Sequence, residues 1–220
     1  KKIITTATNI KTTEGPHIYH IGDYYYLFLA EGGTSYNHTV SVLRSSCIWG
    51  PYEIHPDGEL LTQAKNRNKI SEAKENPLLY CKAGLQKTGH ASIAQIQGNE
   101  YVMSFLCARP NSKAFCPLGR ETALLTISFC EDGWPRLDED VSRNIIQSPP
   151  KPYDFKDDFS GKEVSKDWDF LRYDFLSKQN VILSNGHLTM EGGESPASIK
   201  QHFIGIPIPE YEWQATTKVL

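Results

Sequence analysis

No two of the five cysteines (Cys47, Cys81, Cys107, Cys116 and Cys130) stand in a C-x-x-C pair, and their odd number leaves no complete disulfide framework. Neither a zinc site nor a stapled scaffold is therefore indicated, and the thiols read as buried, inert packing groups. No run of about 18 apolar residues exists to span a bilayer, and the opening Lys1-Lys2-Ile3-Ile4-Thr5-Thr6 lacks the apolar stretch of a signal peptide. The chain reads as soluble, cytoplasmic or secreted, with no membrane partner. Lys and Arg never run longer than two, and 23 basic against 26 acidic residues leave a net charge of -3. That balance argues against nucleic acid and fits a neutral partner. The common catalytic signatures are missing too: there is no G-x-S-x-G elbow, no H-E-x-x-H, no P-loop and no G-x-G-x-x-G. The triplet Asn37-His38-Thr39 is a glycosylation sequon only if the protein is secreted.

What is present is strand. The 220 residues are 39% hydrophobic, and a chain of this length can bury about 70% of its unfolded surface, enough for one or two domains. Short β-rich runs at 17–21, 24–29, 39–44 and 51–54 are separated by Gly22-Asp23, Gly32-Gly33 and Trp49-Gly50. The same order recurs at 91–96, 101–106, 122–129 and 134–137, with Gly98-Asn99 in the place of Gly22-Asp23. Two tandem copies of a four-stranded antiparallel sheet predict β-propeller blades, because one blade cannot bury both of its faces. Two blades cannot close a ring, so further blades are expected before Lys1.

Residues 57–87 are polar and weakly periodic, as befits a long excursion between blades. Ser148-Pro149-Pro150-Lys151-Pro152 predicts a stiff extended linker over 149–156, which divides propeller blades at 1–148 from a second domain at 157–220. In that second domain the segments 157–160, 168–170, 181–183, 187–190 and 211–215 alternate like the strands of an incomplete β-sandwich. Asn185-Gly186 marks a hairpin turn there.

Three residues are candidates for chemistry. His17 and His20 cannot share a metal ion, because strand positions three apart face opposite ways. Glu14, in Thr13-Glu14-Gly15-Pro16-His17, opens the first strand of a blade, the strand that lines a propeller channel. Gly15 leaves room for a ligand, and Pro16 is tolerated at a strand start. A carboxylic acid partly sheltered there would stay protonated near neutral pH and donate to a leaving group; a solvated surface carboxylate is the competing reading. His90, in Thr88-Gly89-His90-Ala91, occupies the corresponding place in the second copy and reads either as a channel residue or as a core histidine bonded to a carbonyl. Arg120 precedes the third strand of that copy, where a guanidinium could bond sugar hydroxyls, hold a carboxylate, or simply sit in a surface ion pair.

Seven stretches in order carry a resemblance: residues 14–19, 24–28, 30–34, 48–53, 89–91, 117–122 and 132–135. Together they resemble glycoside hydrolase family 43, most closely its β-xylosidase and α-L-arabinofuranosidase members. The resemblance covers residues 10–140. From Asp157-Asp158-Phe159-Ser160 onward the chain looks like the concanavalin-like β-sandwich that follows the propeller in many such enzymes.

The resemblance implies an all-β fold, a partial five-bladed propeller followed by a partial sandwich, and an inverting hydrolase of xylo- or arabino-oligosaccharides. By it, Glu14 is the general acid, while Thr34, His90 and Arg120 line the sugar pocket. No cofactor is implied, except that in some members the axial histidine, here His90, also holds a water-coordinated calcium ion. Homo-oligomers occur in the family, and nothing in this sequence specifies one. The aspartate base and a second aspartate that orients the acid are expected before Lys1, so the chain alone is expected to be inactive. The alternative is a non-catalytic carbohydrate-binding remnant whose Tyr24, Tyr36 and Trp49 stack on sugar rings; a third reading is a retaining relative with the same propeller.

Overall fold

Two antiparallel sheets follow one another along the first part of the chain, each in simple sequence order. In the computed structural model, which describes residues 3–6, 8–62, 85–111, 113, 115–137, 154–172, 181–195, 197–208 and 210–219, the chain divides into two compact units, Lys1–Pro149 and Pro150–Leu220. In the first unit, β1 (Glu14–Ile21), β2 (Tyr24–Glu31), β3 (Thr39–Ser45) and β4 (Glu53–Ile54) form a sheet in the order β1-β2-β3-β4, with β5 (Leu61–Thr62) added to β3. The second sheet, β6 (Gln86–Gln97), β7 (Glu100–Ala108), β8 (Glu121–Phe129) and β9 (Pro135–Leu137), repeats that order. All eight expected strands are there; β5 was not foreseen. Gly22 and Gly98 open the two-residue β1–β2 and β6–β7 hairpin loops at φ 58° and 54°, a conformation that costs glycine nothing.

The sheets share one core. Tyr26, Phe28, Val40 and Val42 of the first pack with Ala91, Ile93, Met103, Phe105, Leu125 and Ile127 of the second, all buried. Fully burying each Val, Leu, Ile, Phe or Met side chain among them is worth about 1.5–3 kcal/mol. The opposite face of β2 and β3 carries a smaller cluster, Leu27, Leu29 and Leu43, covered by Ile4 and Tyr52. Buried on both faces, β2 reads as the continuous apolar run Tyr24–Ala30. At the outer end, Arg44 lies between the rings of Tyr24 and Trp134, 4.5 and 4.1 Å from their centroids, and its Nη1 donates to the Asp132 carbonyl at 2.6 Å. That guanidinium, with the Tyr26 hydroxyl donating to the Gly133 carbonyl, rivets one sheet to the other.

Only part of the expectation for the cysteines stands. Cys107 is buried, and burial pushes its thiol up to about 11, which keeps it unreactive. Cys47 and Cys130 are exposed, because each lies in a tight turn closed by a glycine N–H, Gly50 to Cys47 and Gly133 to Cys130. Cys81 lies outside the described residues, as do 63–84 of the polar excursion and 148–153 of the Pro-rich segment.

The second unit shows less strand than its sequence predicts. β10 (Val181–Ser184) and β11 (His187–Met190) form the hairpin expected at Asn185-Gly186, both turn residues having positive φ of 52° and 74°. The segments 157–160 and 211–215 are not strands, and 168–170 contributes only the isolated bridge Asp169–Gly205. At 157–160 the aspartates win over the alternation: Asp157 accepts from the Phe159 N–H and Asp158 from the Ser160 N–H, at 2.8 and 3.0 Å, and Phe159 turns to φ 55°. Among the described residues there is no helix.

Candidate active site

The candidate residues sit where the sheet ladders break. Between Glu14 and His17, β1 advances three residues while β2 advances two, from Ala30 to Phe28. Gly15, at φ 55°, takes up the extra residue, and Pro16 has no N–H to leave unpaired. β6 does the same twice, from Gln86 to Gly89 and from Gly89 to Ser92. Each of those steps contains a residue at positive φ, Lys87 at 57° and His90 at 52°. Bulges re-aim side chains, and here they turn the starts of β1 and β6 toward each other.

The meeting is close. A Cβ placed on Gly15 would lie 2.8 and 2.9 Å from Cδ2 and Cε1 of His90, so only glycine admits that imidazole beside Glu14. The arrangement repeats one layer further in: a Cβ on Gly89 would lie 2.5 Å from Cγ and Nε2 of His38. His38 is 1% exposed, and its Nδ1 lies 3.0 Å from the Lys87 carbonyl. A carbonyl only accepts, so Nδ1 carries the proton and donates. Burial holds the His38 imidazole below its ordinary pKa; the Lys87 carbonyl opposes that, Arg120 and His90 reinforce it, and Glu14 opposes it. Glu14 of β1, His90 of β6 and Arg120 of the loop before β8 thus all act electrostatically on one buried ring.

His17, on the packed face of β1, supports the same corner. Its ring stands edge-on to that of His90 at 6.4 Å, and its Nδ1 lies 3.0 Å from Ser92 Oγ and 3.2 Å from the Tyr19 hydroxyl. His20 is on the other face, stacked on Tyr25 at 4.4 Å. Glu14 and Arg120 themselves are exposed. The shelter expected for Glu14 is not supplied by the described residues, because Glu14 is the first residue of an edge strand. Thr34 is exposed in the β2–β3 loop and makes no hydrogen bond to the other three among the described residues.

Two residues of this corner escaped sequence reasoning. His38 is legible in the sequence only as the middle of a sequon. Glu31 is fully buried, with one carboxylate oxygen accepting from Thr8 Oγ1 and the other from Thr13 Oγ1, both at 2.7 Å. It ties down the segment that leads into Glu14, and the Gly32 N–H adds a bond to the Lys11 carbonyl at 2.9 Å. A charged residue closing an otherwise apolar strand was the available signal, since a buried carboxylate without partners is too costly to keep.

Beside His90 stand the His17 ring and Gly15, next to Glu14, so a calcium ion there would take most of its six to eight oxygens from water. Among the described residues no group of three or more His, Cys, Asp or Glu side chains converges on one point. A carboxyl group, imidazoles and a guanidinium at one rim suit a neutral, hydroxyl-rich ligand and proton transfer to one of its oxygens.

An all-β protein with that rim falls in the class of carbohydrate-active proteins. The chain belongs to the glycosyl hydrolases family 43, whose family model matches residues 1–135. It is 34% identical over 237 aligned positions to a beta-xylosidase of Bacillus subtilis, covering 99% of this chain and 42% of that protein. It is 34% identical over 186 positions to a non-reducing end alpha-L-arabinofuranosidase of Bacteroides ovatus, covering 81% of this chain and 32% of that one. The crystal structure of a xylan beta-1,4-xylosidase from Bacillus halodurans superposes with a TM-score of 0.73 at 34% identity, over 96% of this chain and 40% of that one. The chain therefore spans about two fifths of the length of such relatives.

Proposed function

We propose that these residues form the acid side of an inverting glycosidase active site acting on xylo- or arabino-oligosaccharides, with Glu14 as general acid. The observation that carries this reading is the His90 ring lying over Gly15 next to Glu14, with Arg120 in range of the same cluster. The family membership and the relatives' names support it. The two sheets are blades of a five-bladed propeller, and the second unit opens a β-sandwich.

Glu14 gives its proton to the glycosidic oxygen as the bond to the anomeric carbon breaks. A water attacks that carbon from the opposite face and loses its proton to an aspartate base, the two carboxyl groups standing about 6.5–9.5 Å apart. The chain spans about two fifths of the length of its relatives, and the base is assigned outside it, so the 220 residues alone should release no 4-nitrophenol from the aryl xyloside. His90, Arg120 and Thr34 hold the sugar hydroxyls.

A binding role through Tyr24, Tyr36 and Trp49 finds less support. Tyr24 lies against Arg44 at the end of β2 opposite Ala30, which pairs with Glu14, whereas Tyr36 is in the loop at the Glu14 end. Tyr24 and Tyr36 therefore make no common platform. The two readings separate in the full-length protein carrying Glu14→Gln. Turnover of unactivated xylobiose should fall about 10²–10⁴-fold with sugar affinity kept, and the first product seen by NMR should have the inverted anomer. Unchanged turnover would reject Glu14 as the acid, and a retained anomer would reject inversion.

A further inference from the structure

His38 has a chemistry that packing alone does not explain. It is 1% exposed, its Nδ1–H is committed to the Lys87 carbonyl, and its Nε2 lone pair meets no donor among the described residues. An orphaned acceptor in a core costs stability, and an apolar ring would fill the space without that cost. What the imidazole adds is a hold on one stretch of backbone. Lys87, at φ 57°, supplies the carbonyl; Gly89 lies under the ring; His90, at φ 52°, follows directly. Non-glycine residues in this region are strained and persist only where their surroundings enforce them. Two such residues flank the point where His38 touches β6.

We propose that His38 is a positioning residue: by donating to the Lys87 carbonyl and lying across Gly89, it holds β6 in the doubly bulged path that sets the His90 ring over Gly15, beside Glu14. The inference rests on the assignment of Glu14 and His90 to the sugar site. The chain of contacts runs Glu14-Gly15, then His90-Gly89, then His38. In each layer a missing Cβ admits the imidazole of the next. Catalytic groups displaced by even about 1 Å can lose two orders of magnitude in rate, so a shift of β6 reaches the reaction although His38 touches no substrate.

The test is a set of variants in the full-length protein, read by kcat/KM on aryl xylosides and by the midpoint of thermal unfolding. His38→Asn retains an N–H at the place of Nδ1; His38→Phe retains the ring and loses the donor. The expected result is that His38→Phe and Gly89→Ala each lose at least about tenfold in kcat/KM, with His38→Asn clearly better than His38→Phe. The pair His38→Ala with Gly89→Ala should be no worse than Gly89→Ala alone, since both break one contact. Wild-type kcat/KM in a folded His38→Phe, equal losses for Asn and Phe, or losses that multiply in the pair would each overturn the proposal. Asn and Phe keep most of the volume, so the comparison holds even where His38→Ala unfolds. Glu14→Gln is measured alongside. If it behaves like wild type, the acid assignment fails, while coupling between positions 38 and 89 in the unfolding midpoint still reports on the His38 contact.

Discussion

The two sheets of the first unit share a strand order and differ in their cover. In the first sheet Tyr26–Glu31 is buried without a break, because one face meets the second sheet and the other meets Ile4 and Tyr52. In the second sheet β7 and β8 alternate, buried toward the first sheet and half-buried to exposed on the other side. The candidate corner draws from both, and in both it sits where the ladder is interrupted, once in β1 and twice in the first half of β6. Regular pairing builds the scaffold; the bulges at Gly15 and at Lys87–His90 aim the side chains.

Substitutions in matched positions sharpen this contrast. The largest effect is expected from Phe28→Ala, since Phe28 is 1% exposed at the shared core. It should cost about 3–5 kcal/mol of unfolding free energy in urea melts, and a cost near zero would mean that the sheets do not share that core. Glu31→Ala should come next, at about 1–3 kcal/mol, because it strands the hydroxyls of Thr8 and Thr13. In the full-length protein it should also lower turnover, by freeing the segment before Glu14.

A smaller effect belongs to the turn that clasps the sheets. Asp132 is held down to about 2 from 3.8, chiefly by its bonds from Arg136 and then by the Trp134 N–H. Its folded pKa is depressed, so its contribution is present above pH 3.8 and is lost as pH falls toward 2. Asp132→Asn should flatten the acid limb of the stability–pH curve in that window and leave the curve's shape at pH 6–8 unchanged. An unaltered acid limb would show that this ion pair is not formed. The smallest effect is expected from Leu124→Ala on the open face of β8, where the side chain is 36% exposed. A change within about 0.5 kcal/mol is typical of such surface positions.

Much of this architecture was legible because strand period and turn chemistry agree. Gly22-Asp23 and Gly98-Asn99 mark the hairpins, and the apolar runs on either side give the strands. Glu14 and His90 stood out for a related reason, each lying next to a glycine near the start of a strand, and the fold brings the two together at Gly15. His38 and Glu31 were not, since a buried polar residue reveals itself only through partners brought in by the fold, here Lys87 and Gly89 for the one and Thr8 and Thr13 for the other. The second unit misled the reading at 157–160, where apolar alternation pointed to a strand and two aspartate side chains bonded their own backbone instead.

The proton donated by Glu14 is the central claim, and the most direct measurement of it is the dependence of kcat/KM on leaving-group pKa across a series of aryl xylosides. This is measured for the full-length protein and for Glu14→Gln. The account predicts a shallow line for the wild type and a steep one for Glu14→Gln, with the two converging at the most acidic phenols, which depart without a proton. Parallel lines would contradict it.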